Sequence, residues 1–204
     1  MVYAQSMTLA FALPRCSLSG LSVFELTPQH APLLQRFFDD NPAYFLAVLG
    51  QAAQPNEALE EIVEALPPGW SFSRQIRMAW QEASGCLVAM ANITSDLLAP
   101  GVWHIGLFIV ATERHGSGTA QTLYRDIEAW AVANGASWLR LGVVAGNVRA
   151  ERFWEAAGFH EMRRRAGVEM GKLTNTVRVM AKPLSGGTID AYLRLVARDR
   201  PDAA

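Results

Sequence analysis

The stretch Val110-Ala111-Thr112-Glu113-Arg114-His115-Gly116-Ser117-Gly118-Thr119-Ala120 joins an apolar run to a long amphipathic segment. Before it, residues 102–111 read as a strand buried on both faces, because Ile105 to Val110 is almost wholly apolar. After it, residues 118–133 read as a helix with Leu123, Tyr124, Ile127, Trp130 and Ala131 in one stripe, ended by Asn134-Gly135. A helix N-terminus carries unpaired N–H groups and partial positive charge, so it can receive a phosphate. Small residues let the backbone approach the anion and adopt positive φ. No Lys-Ser or Lys-Thr follows the glycines, which excludes a P-loop, and no third glycine completes a dinucleotide fingerprint. Taken alone, a tight turn with no ligand explains the segment equally well.

The next elements change that balance. Residues 138–144 read as a strand. Residues 148–157 read as a short helix with Asn147 as N-cap and Gly158 as its stop. This helix lies within Gly146-Asn147-Val148-Arg149-Ala150-Glu151-Arg152-Phe153-Trp154-Glu155-Ala156-Ala157-Gly158-Phe159. Together the two segments resemble the GNAT superfamily of N-acetyltransferases. The first resembles its phosphate-binding motif, Gln/Arg-x-x-Gly-x-Gly/Ala, with His115, Gly118 and Ala120 at the defined places. The second resembles its Asn-x-x-Ala-x-x-(apolar)-Tyr-x-x-x-Gly-Phe segment, with Asn147, Ala150, Phe153, Trp154, Gly158 and Phe159 in register. The resemblance covers Val102 to Arg165 well and is weakest before Ser73.

Working outward, residues 21–27 read as a strand, 28–39 as a helix starting at Pro28, and 56–66 as a helix stopped by Pro67-Pro68-Gly69. Residues 73–81 and 87–94 form a hairpin about Ala83-Ser84-Gly85, and residues 159–165 and 175–182 are two late strands. Asn41-Pro42-Ala43-Tyr44-Phe45 reads as an aromatic loop roofing either an acceptor cavity or the core. Residues 1–20 form a leader, 21–184 a single domain, and 185–204 a tail that holds a helix turn or two before a polar, fraying end. The fold expected is α/β, of the GNAT type: a mostly antiparallel sheet of about seven strands, splayed at the CoA site and flanked by helices.

Composition bounds the partners. The 204 residues carry 18 basic and 19 acidic side chains, a formal net charge of -1, so no charge excess points to nucleic acid or a membrane surface. An anionic ligand must be held locally. Cys16 and Cys86 lack metal-like spacing and fit free thiols in a reducing cytoplasm. No metal is expected, and the apolar run from Leu9 to Leu13 is too short to span a bilayer.

The resemblance implies acetyl-CoA as co-substrate and a small-molecule amine as acceptor. Acetylation of a protein N-terminus or lysine, a longer acyl donor, a non-catalytic acyl-CoA sensor and a homodimeric assembly stay open. The pyrophosphate is expected on the N–H groups of His115, Gly116, Ser117, Gly118, Thr119 and Ala120, with Arg114 beside them. The pantetheine is expected along Phe108, Ile109 and Val110, against Asn147, Arg149, Phe153 and Trp154 of the short helix. A backbone N–H near Phe108 would polarise the thioester. His115 stands where the family usually has Arg or Gln, and Trp154 where it often has the tyrosine that protonates the thiolate.

His104 occupies the strand position at which the histone-acetylating branch places a glutamate base. Two-residue alternation puts it on the face of Gly106, Phe108 and Val110, so it is the candidate base, with structural packing as the alternative. Asp39, Asp40, Tyr44 and Glu61 are candidates to attract a cationic amine, or belong to a solvated acidic face. His30 and His160 read as surface residues.

Overall fold

A computed structural model describes residues 12–203. Its elements are β1 (Leu21–Glu25), α1 (Ala31–Asp40), α2 (Ala43–Leu49), α3 (Glu57–Val63), β2 (Arg74–Glu82), β3 (Leu87–Ser95) and β4 (Val102–Val110). They continue with α4 (Thr119–Ala133), β5 (Trp138–Val144), α5 (Val148–Ala156), β6 (His160–Met170), β7 (Leu173–Pro183) and α6 (Ile189–Leu195). The seven strands form one sheet in the order β1-β2-β3-β4-β5-β7-β6. Neighbours pair antiparallel except β4 and β5, which run parallel and pair only from Val102–Trp138 to Ile105–Leu141. Beyond Ile105 and Leu141 the two strands have no register, and the sheet opens between them.

Each face buries a different set of helices. On one, the apolar stripe of α4 (Leu123, Ile127, Trp130) and Trp154 of α5 cover Trp103, Ile105 and Val110. On the other, Leu34, Phe37 and Phe38 of α1, Phe45 of α2 and Ile62 of α3 cover Leu107 and Ile109. Strand β4 therefore presents odd residues to α4 up to Ile105 and even residues after it. The cause is a β-bulge. Asn92 pairs with Leu107 and Ile93 with Ile105, which leaves Gly106 as the extra residue. The bulge reverses the alternation on which the expected placement of His104 rested.

Several expectations need correction. Residues 43–49 are a helix, not a loop, started after Pro42 and closed by Gly50, whose N–H bonds Leu46 O at 3.2 Å. The third helix ends at Val63 because Arg77 Nε takes the Glu61 carbonyl at 3.0 Å and Glu64 turns extended. The last two strands are longer than read and meet at Gly171-Lys172, and bulges between Glu161 and Arg163 and between Arg165 and Val168 break their sequence alternation. The leader lies outside the described residues up to residue 11. From Ala12 onward it packs on α4, where Trp130 Nε1 donates to Ala12 O (2.6 Å) and Ser17 N to Asp126 (2.8 Å).

The tail does not fray at residue 199. Asp199 is 0% exposed and accepts two bonds from Arg140 on β5 (2.7 and 3.1 Å) and one from the Tyr192 hydroxyl (2.5 Å). Arginine at position 140 thus fastens the chain end to the sheet. Among the described residues no helix is long and apolar enough to cross a membrane. Cys16 and Cys86 are free thiols.

Removing one member of a buried ion pair strands the other, at about 3–5 kcal/mol. Asp199→Ala is therefore expected to lower stability by that order in urea unfolding. The Arg140→Leu/Asp199→Leu double variant should recover part of the loss. An Asp199→Ala midpoint equal to the wild type's would mean that the tail is not fastened there.

Candidate functional site

The opening between β4 and β5 leads into a cavity of about 330 Å³. It is lined by Phe108, Ile109 and Val110 from β4, His115 and Ala120 from the glycine turn, and Asn147, Arg149, Phe153 and Trp154 from α5. Asn41, Tyr44 and Thr112 close it from the other side. Nine of the sequence-read residues thus surround one space. The N–H of Ala111 bonds Val88 on β3 at 2.8 Å. Backbone groups alternate direction along a strand, so the N–H groups of Phe108 and Val110 face the opening.

The turn meets the cavity through His115 and Ala120. Gly116 and Gly118 lie at φ +81° and +85°, in the left-handed region, and a side chain added at either would point into open space. Gly118 is the N-cap of α4 and has no side chain to cap it; Ser117 Oγ accepts from Thr119 N at 3.4 Å, and the next first-turn N–H groups are available to an outside acceptor. Asn41, 7% exposed, ties the turn to α1, since its Oδ1 accepts from Thr112 N (2.6 Å) and its Nδ2 donates to Phe37 O (2.8 Å). The sequence reading did not single out Asn41. Its signal was an Asn-Pro pair directly after a helix.

His115 acts through a neighbour. Its Nε2 donates to the Val110 carbonyl at 3.0 Å, so Nδ1 is left to accept from Arg149 Nη1. The residue standing in the usual Arg or Gln place therefore holds an arginine of α5 over the turn. Arg114 is placed otherwise than expected. It is ion-paired with Glu82 and lines, with Thr119, a second cavity of about 390 Å³ between the leader and the β2–β3 hairpin. Gly116, Ser117 and Gly118 shape the turn without lining either cavity.

Trp154 is a wall. It packs against Phe108, Tyr124, Phe153 and Phe159 with ring centroids 6.1, 5.5, 4.8 and 5.3 Å away. Tyr124 is close, but its hydroxyl donates to Glu128 and lies 3.3 Å from Lys182 Nζ. Burial first and Glu128 second push its ionisation far above the ordinary tyrosine value.

His104 is corrected in position. Because of the Gly106 bulge it lies on the sheet face opposite Phe108, with Nδ1 3.1 Å from the Arg140 carbonyl and 3.4 Å from Arg140 Nη1. Burial, then the Arg140 charge, depress its ring pKa to about 3. It lines no part of the cavity and is not poised to titrate near neutrality. The packing alternative is the one the geometry favours.

That opposite face holds a different polar set. Gly106 and Gly142 are the exposed positions within the mostly buried β4 and β5, so the sheet is accessible there. Beside Gly106 lies Asn92, whose Nδ2 donates to Glu61 Oε1 at 2.7 Å while its buried Oδ1 has no hydrogen-bond partner. Glu61 is partly buried. Burial chiefly, and Glu64 and Glu57 less, raise its pKa to about 7, against the opposing Asn92 bond and Arg77 charge. Tyr44, also raised by burial and then by Glu61 and Glu57, stays protonated. Asp39 and Asp40 are exposed, and Asp39 is engaged by Gln35 at 3.0 Å. His160 is exposed, whereas His30 is partly buried against Phe24 with ring centroids 5.0 Å apart. Among the described residues no three His, Cys, Asp or Glu side chains gather as a metal site.

The profile of the Acetyltransferase (GNAT) family matches residues 23–159, and the chain belongs to that family. No curated protein matches it. Among solved structures it is similar to an acetyltransferase from Thermus thermophilus, at 20% identity over 80% of this chain and 97% of that one, TM-score 0.62. It is similar to a spermidine N-acetyltransferase from Vibrio cholerae in complex with CoA and spermine, at 16% identity over 82% and 98%, TM-score 0.62. It is similar to the ribosomal-protein-S18-alanine N-acetyltransferase from Escherichia coli, at 14% identity over 82% and 96%, TM-score 0.58. At these identities the likeness concerns the fold.

If His115 acts by holding Arg149, the two residues should couple. Arg149→Ala and His115→Ala are each expected to weaken CoA binding several-fold in calorimetry. The double variant should be no weaker than Arg149→Ala alone. Additive losses would assign His115 its own contact.

Proposed function

Because the chain belongs to the GNAT acetyltransferase family, we propose that it transfers an acetyl group from acetyl-CoA to the primary amine of a small molecule by direct attack. The observation that carries this reading is the gap between β4 and β5. On one face it lies beside the cavity at the start of α4, and on the other Gly106 of β4 is exposed. The pyrophosphate would lie on the first N–H groups of α4, with Arg149 beside it. The pantetheine would run between β4 and Phe153 and Trp154, and the thioester carbonyl oxygen would accept from Phe108 or Val110 N–H.

The acceptor would enter over Gly106. Two acceptors wait there without enough donors: the unpartnered Asn92 Oδ1 and the Glu61 carboxylate, which a cationic amine would satisfy together. Glu61 takes one proton from the ammonium. The neutral amine then attacks the carbonyl carbon, the C–N bond forms, the C–S bond breaks, and the second nitrogen proton passes through water to the departing thiolate. Tyr44, held protonated at the cavity wall, donates a hydrogen bond to that sulfur. The β6–β7 hairpin is fastened to α2, with Lys172 N on Leu49 O (2.8 Å) and Asn175 Nδ2 on Val48 O (2.9 Å). This narrows the acceptor side and favours a small acceptor over a polypeptide.

General-base catalysis is typically worth about 10²- to 10⁴-fold. Glu61→Gln should lower kcat within that range while leaving the KM for acetyl-CoA near its wild-type value. The wild-type rate should climb with pH through about 7 and level off above it, a step the variant lacks. Stability should show the opposite sign. A carboxyl raised from 4.5 to about 7 by folding stabilises fully below 4.5, and that share is lost as pH rises through 7. Urea midpoints across this window should therefore fall more steeply for the wild type than for Glu61→Gln. A pH–rate step that survives in the variant would remove Glu61 from the mechanism.

A further inference from the structure

The same sheet face carries a second polar group, across β5 and β7 from Glu61. Arg163 and Arg165 on β6 pair with Val179 and Val177. Arg164 and Arg178, one residue out of phase, turn to the other face, where Arg178 meets Glu151 and Glu155 of α5. Arg163 Nη1 donates to the carbonyl of Arg198 in the tail at 2.8 Å, and its Nε is buried with no hydrogen-bond partner. The Arg198 guanidinium stacks on Trp70, 4.4 Å from the ring centroid.

This grouping is electrostatically unfavourable by itself. Burial first, then the charges of Arg140, Arg165 and Arg163, make Arg198 easier to deprotonate than an ordinary arginine, and Asp199 only partly opposes them. Asp199 is already occupied by Arg140 and Tyr192. Among the described residues no carboxylate forms an ion pair with Arg163, Arg165 or Arg198. Three guanidiniums brought together, with an idle buried N–H and an aromatic backing, are complementary to an external anion, and planar donor forks suit carboxylate or phosphate.

We propose that Arg163, Arg165 and Arg198, backed by Trp70, bind an anionic group of the acceptor, so that the substrate is an amine carrying a carboxylate or phosphate several bonds from its nitrogen. This rests on the reading that the amine enters over Gly106 beside Glu61. The spacing sets the separation. With paired strands about 4.8 Å apart, β4 and β6 lie about 14 Å apart across β5 and β7, and farther at Gly106, where β4 and β5 no longer pair. The arginine side chains shorten that span, but an α-amino acid, whose amine and carboxylate share one carbon, does not bridge it. The face thus has an acidic end for the amine and a basic end for the anion.

The experiment compares ε-aminocaproate with its uncharged amide, ε-aminocaproamide, and with aminohexyl phosphate as acceptors. The wild type should favour at least one of the two anionic amines over the amide by about tenfold or more in kcat/KM, expressed in KM. Which one leads separates carboxylate from phosphate. In the Arg165→Ala/Arg198→Ala variant the ratio should fall toward one. Equal kcat/KM for all three in the wild type, or a ratio that the variant retains, would overturn the proposal. If none of the three is acetylated, these amines are not acceptors, and the anion site is tested without turnover. Succinate and inorganic phosphate at constant ionic strength should then raise the wild-type Tm and not that of the variant. Equal shifts, or no shift in either, would overturn it.

Discussion

The rest of the site depends on where β4 and β5 stop pairing. Parallel strands share evenly spaced, slanted hydrogen bonds, and these two lose them after Ile105 and Leu141. Ending the ladder leaves backbone donors of β4 without a strand partner, in a place where α4 and α5 exclude water from one side. An unmade backbone hydrogen bond is costly when buried, so such a gap is maintained only by a fold that fixes both strands elsewhere. Here β4 is held along β3 up to Val110, and β5 along β7 to Val144. An acceptor inserted between them would restore the lost hydrogen bonds.

The sequence made one half of this legible. The buried run before Val110, the glycines at positive φ and the stripe of α4 are local signals, and local signals survive without coordinates. The short helix with Asn147 at its cap was equally readable, and Asn147 Oδ1 does accept from Ala150 N, at 3.3 Å. The hairpin and the seven-stranded sheet were legible too; what failed were details of register and tertiary contact. The bulge at Gly106 is one residue in an unbroken apolar run, and it leaves no periodicity signature. It nevertheless moved His104 to the opposite face. Helix α2 was missed because seven mostly apolar residues after a proline suit a loop, a strand or a helix equally well. Asp199 looked like part of a polar end, since its partner Arg140 lies on a strand far earlier in the chain.

Electrostatics within this nearly neutral chain are local. The positive end of the cavity between β4 and α5 comes from backbone dipoles and one oriented arginine. His115 contributes by fixing where Arg149 stands, an effect that composition cannot reveal. Arg140 and Asp199 serve the opposite need: both are buried and mutually satisfied, and so invisible to ligands. Their pairing has a consequence at the surface, because it consumes the carboxylate that would otherwise neutralise Arg198.

His104 and Glu61 show how one geometric change redistributes chemistry. A histidine beside a buried guanidinium loses proton affinity, whereas a carboxyl turned from water and flanked by other carboxylates gains it. The first is unfit to accept a proton from an ammonium at neutral pH. The second titrates close to that pH while sitting beside an exposed glycine of β4. Had β4 been regular, the residue at position 104 would have faced the same side as Phe108, and so would Gly106. With the bulge, the strand turns Phe108 and Val110 toward α4 and α5 and leaves a bare backbone at Gly106, flanked by Asn92, on the opposite face. The carboxyl nearest that bare backbone comes instead from α3, whose terminus Arg77 pins to β2.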